Sequence, residues 1–229
     1  MYMQIKNVNT PSFHSRSASI READTICRMV KTHFPSISPS KVQSRAKILN
    51  DKKFVEYGEF LMNELREKVR KPFQYYATKA TTFFFEPFAK NIKENRMANC
   101  GELARLASLI CAVNGIHSQV VNVLNINKSG GIMGQCDHAV LAIPPKGERV
   151  KCAEFSKLKG TIIIDPWLGE ADYAENMQVK YRNMYYKTLG TPENGYHAID
   201  NITGALDVIS DQSYEPLRKL FPELVINKK

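Results

Sequence analysis

Asn99-Cys100-Gly101-Glu102-Leu103-Ala104-Arg105-Leu106-Ala107-Ser108-Leu109-Ile110-Cys111-Ala112-Val113-Asn114-Gly115 is the stretch on which the reading of this 229-residue chain turns. Leu103, Leu106, Ala107, Ile110 and Val113 recur at helical spacing and Gly115 supplies a stop, so the segment predicts a helix with an apolar face. Cys100 stands at its beginning, where unpaired backbone amides and the positive end of the helix dipole favour thiolate over thiol. Cys111 lies inside the same helix, away from those amides, and is assigned to the core. Cys100 has the same bland alternative, because free cysteines are commonly small buried residues.

Working outward toward the C-terminus, Gln119 to Ile126 is valine-rich and strand-like. Ser129-Gly130-Gly131 to Gly134 reads as a flexible loop, and Cys136 to Ile143 returns as the second arm of a hairpin. Gly130-Gly131 lacks the Lys-Ser/Thr ending of a phosphate-binding loop and serves the connection. Pro144-Pro145-Lys146-Gly147 breaks the strand. Thr161-Ile162-Ile163-Ile164-Asp165, stopped by Pro166, reads as a third antiparallel partner. Ala171 to Leu189 predicts a helix, Asn194-Gly195 a turn, and Pro216 to Ile226 a last short helix.

Toward the N-terminus, Asn7 to Ser19 reads as a polar arm. Ile20, Ala23, Ile26, Cys27, Val30 and Phe34 predict a helix that Pro35 stops, and a second helix begins after Ser38 or Ser40. Asp51 caps a third, with Phe54, Val55, Leu61 and Leu65 in its buried stripe, ended before Pro72. Phe73 to Phe88, with Tyr75, Tyr76 and Phe83-Phe84-Phe85, fits a strand or a buried helix, and periodicity does not decide between them. The expected organisation is a helical N-terminal region over 1–90 packed on a core over 91–229, or the two as one compact domain.

A hydrophobic fraction of 43% and a charged fraction of 24% are those of an ordinary globular protein. The N-terminal residues lack the apolar segment of a secretory signal, and no run approaches the roughly 18 residues of a membrane span. Five cysteines are an odd number without paired spacing, so a reducing compartment is expected rather than a disulfide framework. A formal charge of +9 favours acidic partners without identifying one. The cluster Arg66, Lys68, Arg70 and Lys71 closes a predicted helix, where cations offset the dipole.

Acyl transfer by cysteine needs a thiolate, a base that exchanges its proton, and a group that holds the base in one tautomer. His138, a polar ring interrupting an apolar strand near its start, is the candidate base, although a core histidine satisfied by backbone is an equal alternative. Asp165, at the end of Ile162-Ile163-Ile164, can receive the second imidazole proton or simply initiate the turn before Pro166. Asp137 and Glu154 are its rivals. Asp137 points to the opposite strand face from His138, whereas the end of a neighbouring strand comes alongside it. The Cys100 backbone amide is the expected oxyanion donor, with Asn95 and Asn99 as side-chain candidates that could equally cap the helix. Trp167 is placed either on the wall of an acyl pocket or in the core. Cys136-Asp137-His138 with Cys152 lacks the paired ligand spacing of a zinc site, so no metal is expected.

Helix-start cysteine, strand histidine and strand-ending aspartate, in that order, resemble the papain-like superfamily and particularly its transglutaminase-like branch. The strings Asn99-Cys100-Gly101-Glu102, Asp137-His138-Ala139-Val140 and Asp165-Pro166-Trp167 carry the resemblance, which covers roughly Asn95 to Leu168. It implies an α+β fold with N-terminal helices and a catalytic helix packed on an antiparallel sheet. It also implies Cys100 as nucleophile, His138 as general base and acid, Asp165 as orienting residue, and no cofactor. No tryptophan follows Cys100 and no acidic calcium loop is evident, so calcium dependence is not expected. The helical N-terminal region beside a divergent triad domain is similar to bacterial effectors delivered into host cells, which implies the host cytoplasm, or otherwise a reducing cytoplasm. The implied partners are a protein with a glutamine acyl donor, an amine acceptor and an inhibitory protein, with nucleic acid not expected. Cysteine protease and glutamine deamidase share the first half of that chemistry. A noncatalytic basic module that binds acidic protein or nucleic acid is the alternative of another class.

Overall fold

The computed structural model describes residues 17–74, 82–125, 138–145, 150, 153–185, 196–200 and 214–226. Helix α1 spans Ile20–His33 and opens with reciprocal bonds: the Glu22 backbone N–H donates to Ser19 Oγ (3.2 Å) and the Ser19 N–H to Glu22 Oε2 (3.0 Å). It buries Ala23, Ile26, Cys27 and Val30, the stripe the spacing predicts. Helix α2 spans Pro39–Leu49, with Pro39 in its first turn, and α3 spans Lys52–Glu64, capped by Asp51 through the Phe54 N–H (3.2 Å).

The expected stop before Pro72 does not occur. A π-helical run, Leu65–Arg70, leads straight into a short helix α4, Lys71–Gln74, which contains Pro72. Its wider turn sends the Lys71 N–H to the Arg66 carbonyl, so Pro72 falls in the first turn of a new segment, where a missing donor is tolerated. Leu61, Leu65 and Val69 are buried, while Phe54 and Val55 are only half-buried. Three cations of the basic cluster are ion-paired, Lys68 with Glu64, Lys71 with Glu67 and Arg70 with Glu102, while Arg66 donates to Asn63 Oδ1. Helix α5, Thr82–Asn95, decides the aromatic stretch for helix over its described part, with Pro87 inside it and Phe85, Phe88, Ala89 and Ile92 buried. Helix α6 is Cys100–Val113, and Gly115 beyond it takes φ +64°, the left-handed conformation that ends helices.

Strands β1 (Gln119–Asn125) and β2 (His138–Ile143) form the expected antiparallel hairpin arms, with Val121 opposite Val140. β3 is Ala153–Glu154, β4 is Ile162–Asp165 and β5 is Glu170–Tyr173. Helix α7 is Ala174–Tyr185, β6 is Tyr196–Asp200 and α8 is Tyr214–Leu220. The predicted helix over 171–189 is therefore corrected at its start, where Glu170–Tyr173 continues the sheet by pairing with β4. The last segment also differs. α8 ends at Leu220, and Pro222 begins a separate 3-10 turn. Among the described residues the sheet order is β3-β6-β1-β2-β4-β5, with antiparallel pairing throughout.

Every residue of β2 is buried, because both faces of the sheet are covered. Leu141, Ile143, Ile162 and Ile164 pack on one face against residues of α1, α3, α5, α6 and α8. Val140, Ala142 and Ile163 pack on the other with Phe155 and with Ala174, Met177 and Tyr181 of α7. The fold is α+β with α6 against an antiparallel sheet. The expected division between 90 and 91 falls inside α5, and the first apolar cluster runs across it from Ala23 to Leu224. The polar arm up to residue 16, Tyr75, Tyr76, Ile126, the 129–134 loop, Cys136, Asp137, Lys146-Gly147, Cys152, residues 186–189 and Asn194-Gly195 lie outside the described residues.

Candidate active site

β2 and β4 run antiparallel, with Leu141 opposite Ile164 and Ile143 opposite Ile162. The first residue of β2 and the last of β4 therefore meet at the same end of the sheet. Those residues are His138 and Asp165, and His138 Nε2 lies 2.7 Å from Asp165 Oδ2. Both are buried, Asp165 completely. Asp165 Oδ2 also accepts from the Tyr181 hydroxyl (2.9 Å), and Oδ1 accepts the Leu168 N–H (3.0 Å). The Asp165 carbonyl takes the Gly169 N–H at 2.7 Å. One carboxylate oxygen meets the imidazole while the other receives an N–H of the turn that follows. The rival Glu154 is engaged elsewhere, accepting from Gln178 at 3.2 Å.

Cys100 is the first residue of α6 and is half-buried, whereas Cys27 and Cys111 are buried. Its side chain is hydrogen-bonded to His138. With Nε2 taken by Asp165, Nδ1 is the ring nitrogen left for the sulfur. Burial disfavours the imidazolium, but the Asp165 charge and hydrogen bond, reinforced by Cys100, outweigh it and raise the His138 pKa to about 10. The balance favours the imidazolium. Cys27 has the opposite fate, since burial pushes its thiol up to about 12. Its sulfur faces the carbonyls of Asp165 and Glu170 at 3.8 and 3.7 Å.

The start of α6 is fixed by charge as well as by capping. The Asn99 N–H donates to Glu102 Oε2 (3.0 Å), and Arg70 forks onto the Glu102 carboxylate at 2.9 and 3.3 Å. Burial pushes the Glu102 carboxyl up, yet Arg70, the Asn99 N–H and Arg105 together hold it below the usual range. Asn99 occupies the cap position, and its amide is engaged within the protein: Oδ1 accepts from Ser38 Oγ (3.0 Å), Ser40 N (3.1 Å) and Ser40 Oγ (2.9 Å), and Nδ2 faces Met62 Sδ at 3.4 Å. Asn95 donates to the Asn91 carbonyl of its own helix (3.0 Å), so it too serves a helix end.

Trp167 does join the site. Its ring stands edge-on to His138 with centroids 5.3 Å apart, and its Nε1–H donates to Ser38 Oγ at 2.8 Å. Ser38 thereby links Asn99, the residue before Cys100, to the aromatic beside His138. Tyr181, fully buried, closes the other side, 6.0 Å from the imidazole and near perpendicular to it. Neither Tyr181 nor Ser38 stands out in the sequence. The only trace of Tyr181 is the helical spacing of Ala174, Met177 and Tyr181, which marks a buried face of α7 and nothing about a carboxylate.

Cys136 and Cys152, weighed as metal ligands with His138, lie outside the described residues, and among the described residues no cluster of three potential ligands occurs. Among them, too, no helix is long and apolar enough to cross a membrane. Comparison of the chain with protein-family models, with curated proteins and with solved structures returns no match.

Proposed function

We propose that this chain is a cysteine acyl-transfer enzyme of papain-like, transglutaminase-like design, acting on protein glutamine. The observation that carries the reading is the relay Cys100–His138–Asp165, drawn from a helix start and two adjacent strand ends into continuous hydrogen bonding. An imidazolium held beside a cysteine at a helix N-terminus is the form in which that cysteine reacts as thiolate. Cys100 Sγ attacks the glutamine carboxamide carbon, and the oxyanion develops against the first turn of α6, where the backbone dipole stabilises it. His138 gives its proton to the departing nitrogen, ammonia leaves, and a thioester remains. A lysine amine then attacks the thioester and loses a proton to His138, and the thiolate departs to leave an isopeptide bond. Asp165 fixes which nitrogen faces the sulfur through each step, and Tyr181 fixes Asp165.

The free cysteines suit a reducing compartment, and delivery into a host cytoplasm is part of the same proposal. The test is incubation of wild type and Cys100→Ala with substrate lysate and a labelled primary amine, followed by mass spectrometry. Label incorporated into proteins by wild type alone supports transamidation. Substrates that instead gain about one mass unit place water as acceptor in the same thioester chemistry, and cut substrates make the attacked amide a peptide bond. No product of any kind, with Cys100 no more reactive than an ordinary thiol, overturns the enzyme and leaves a basic binding module.

A further inference from the structure

Two cations from the N-terminal helices stand at the edge of the site. Lys41 of α2 donates to the Trp167 carbonyl, and its Nζ lies 4.5 Å from the centroid of the Trp167 ring, the ring that abuts His138. Lys31 of α1 reaches the same turn from the other helix. Gly169, at φ +88°, leaves room for it, since a Cβ there would collide with Lys31 Nζ and Cε. Both ammonium groups thus converge on 165–169, the turn that carries Asp165 and Trp167.

Neither forms an ion pair among the described residues. Asp165, whose charge acts on Lys41, is buried and already bonded to His138, Tyr181 and Leu168. Lys41 feels this arrangement: burial and the Lys31 charge both lower its pKa, with Asp165 opposing them. Two like charges held together with no counterion among the described residues raise the local potential, and an anion docking there relieves the repulsion while gaining charge-assisted hydrogen bonds. The net charge of +9 adds a long-range attraction of the same sign.

We propose that Lys31 and Lys41 form an anion subsite on the Trp167 flank of the Cys100–His138 pair, which takes the carboxylate side chains of an acidic segment flanking the attacked glutamine. The proposal rests on the acyl-transfer reading and names its substrate class: glutamine in an acidic stretch of a protein. Helices α1 and α2 are then specificity elements of the site, which explains why they lie against its rim.

The chain has a single tryptophan, so the fluorescence of Trp167 reports directly on this flank. In Cys100→Ala protein, which cannot consume the peptide, a short peptide with glutamine between glutamate and aspartate is titrated against its analogue with amides in place of the acids. The acidic peptide is expected to bind at least about tenfold more tightly at low salt, and the advantage shrinks as salt is added. Lys31→Gln and Lys41→Gln each reduce the advantage, and the double variant removes it while the affinity for the amide peptide holds. Equal affinity for the two peptides, equal weakening of both by the lysine variants, or no saturable change with either overturns the subsite. Amine incorporation by the wild-type protein is read separately. Turnover of both peptides without acidic preference sinks the subsite alone, and acid-selective binding without any turnover sinks the enzyme reading alone.

Discussion

Replacing Asp165 by asparagine keeps the shape of the side chain and removes the charge, which isolates what the carboxylate does to His138. The imidazole rises from 6.5 to about 10, against its own burial, because Asp165 acts on it through charge and hydrogen bond and Cys100 adds a smaller push of the same sign. At about 1.4 kcal/mol per pH unit the whole preference for the imidazolium is about 5 kcal/mol, with Asp165 supplying the larger part. Since the folded value lies above the unfolded one, this stabilisation is complete below pH 6.5 and is lost as the pH climbs through about 10. Urea melts of wild type should accordingly show stability falling across that window, and Asp165→Asn should flatten the fall. The variant should also unfold more easily at neutral pH, because Tyr181 and Leu168 lose a charged acceptor, at a cost of about 1–3 kcal/mol. Turnover should also drop, because the neutral amide no longer stabilises the imidazolium, with the roughly 10⁴-fold loss of the same change in a serine triad as its upper bound. The alkaline limb of Cys100 alkylation by iodoacetamide, followed by mass, should move down toward the ordinary histidine range. A variant with the wild-type alkylation profile and wild-type turnover would remove Asp165 from the mechanism.

Tyr181→Phe deletes the 2.9 Å bond to Asp165 and leaves the ring packed on His138, so stability should fall by about 1 kcal/mol and turnover by less than in Asp165→Asn; an unchanged pH–rate profile would make Tyr181 a packing residue only. Among Cys27, Cys100 and Cys111, iodoacetamide at neutral pH should label Cys100 first, with Cys27 and Cys111 protected until urea unfolds the chain; peptide mapping checks this, and early labelling of Cys27 would contradict its burial and its value of about 12. Arg70→Met leaves the Glu102 carboxylate, 3% exposed, without its fork, and should cost about 2–3 kcal/mol in urea melts, less than a fully buried pair because the Arg70 side chain is 44% exposed; a double variant with Glu102→Gln should recover part of the loss.

How much of this was legible depended on whether the signal was local. The Cys100 helix could be read because its apolar period, its start and its Gly115 stop all lie within one short stretch. The strand pattern marks the hairpin and β4, and because a neighbouring strand end comes alongside His138, it favours Asp165 over Asp137. β5 was missed because Glu170–Tyr173 has mixed polarity and merges directly into α7; only its pairing with β4 makes it a strand. Pro72 misled for a related reason. Proline marks a boundary in sequence, but a π turn upstream moved the boundary without breaking the rod. Asn95 and Asn99 were weighed as oxyanion donors or caps by proximity in the chain, and each turned its amide to a helix end or to Met62 instead.

Ser38 marks the limit of local reading most clearly. It lies 61 residues before Asn99 and 129 from Trp167, and it donates to the one while accepting from the other. Nothing in Ser36-Ile37-Ser38-Pro39 distinguishes such a link from an ordinary helix approach. Its place in the fold explains its effect. Cys100 enters the site from the helix face of the sheet, while His138 shares its strand face with Val140 and the α7 side, so the two halves of the relay belong to different packing layers. Their relative position is not secured by the sheet alone. The Ser38 bridge ties the cap of α6 to the tryptophan beside His138, and α2, which begins at the next residue, carries Lys41 onto that same tryptophan. One short segment thus holds the Asn99 cap, Trp167 and Lys41, so on the proposed function a change that loosens 38–41 should disturb the reactivity of Cys100 and the preference for acidic substrates together.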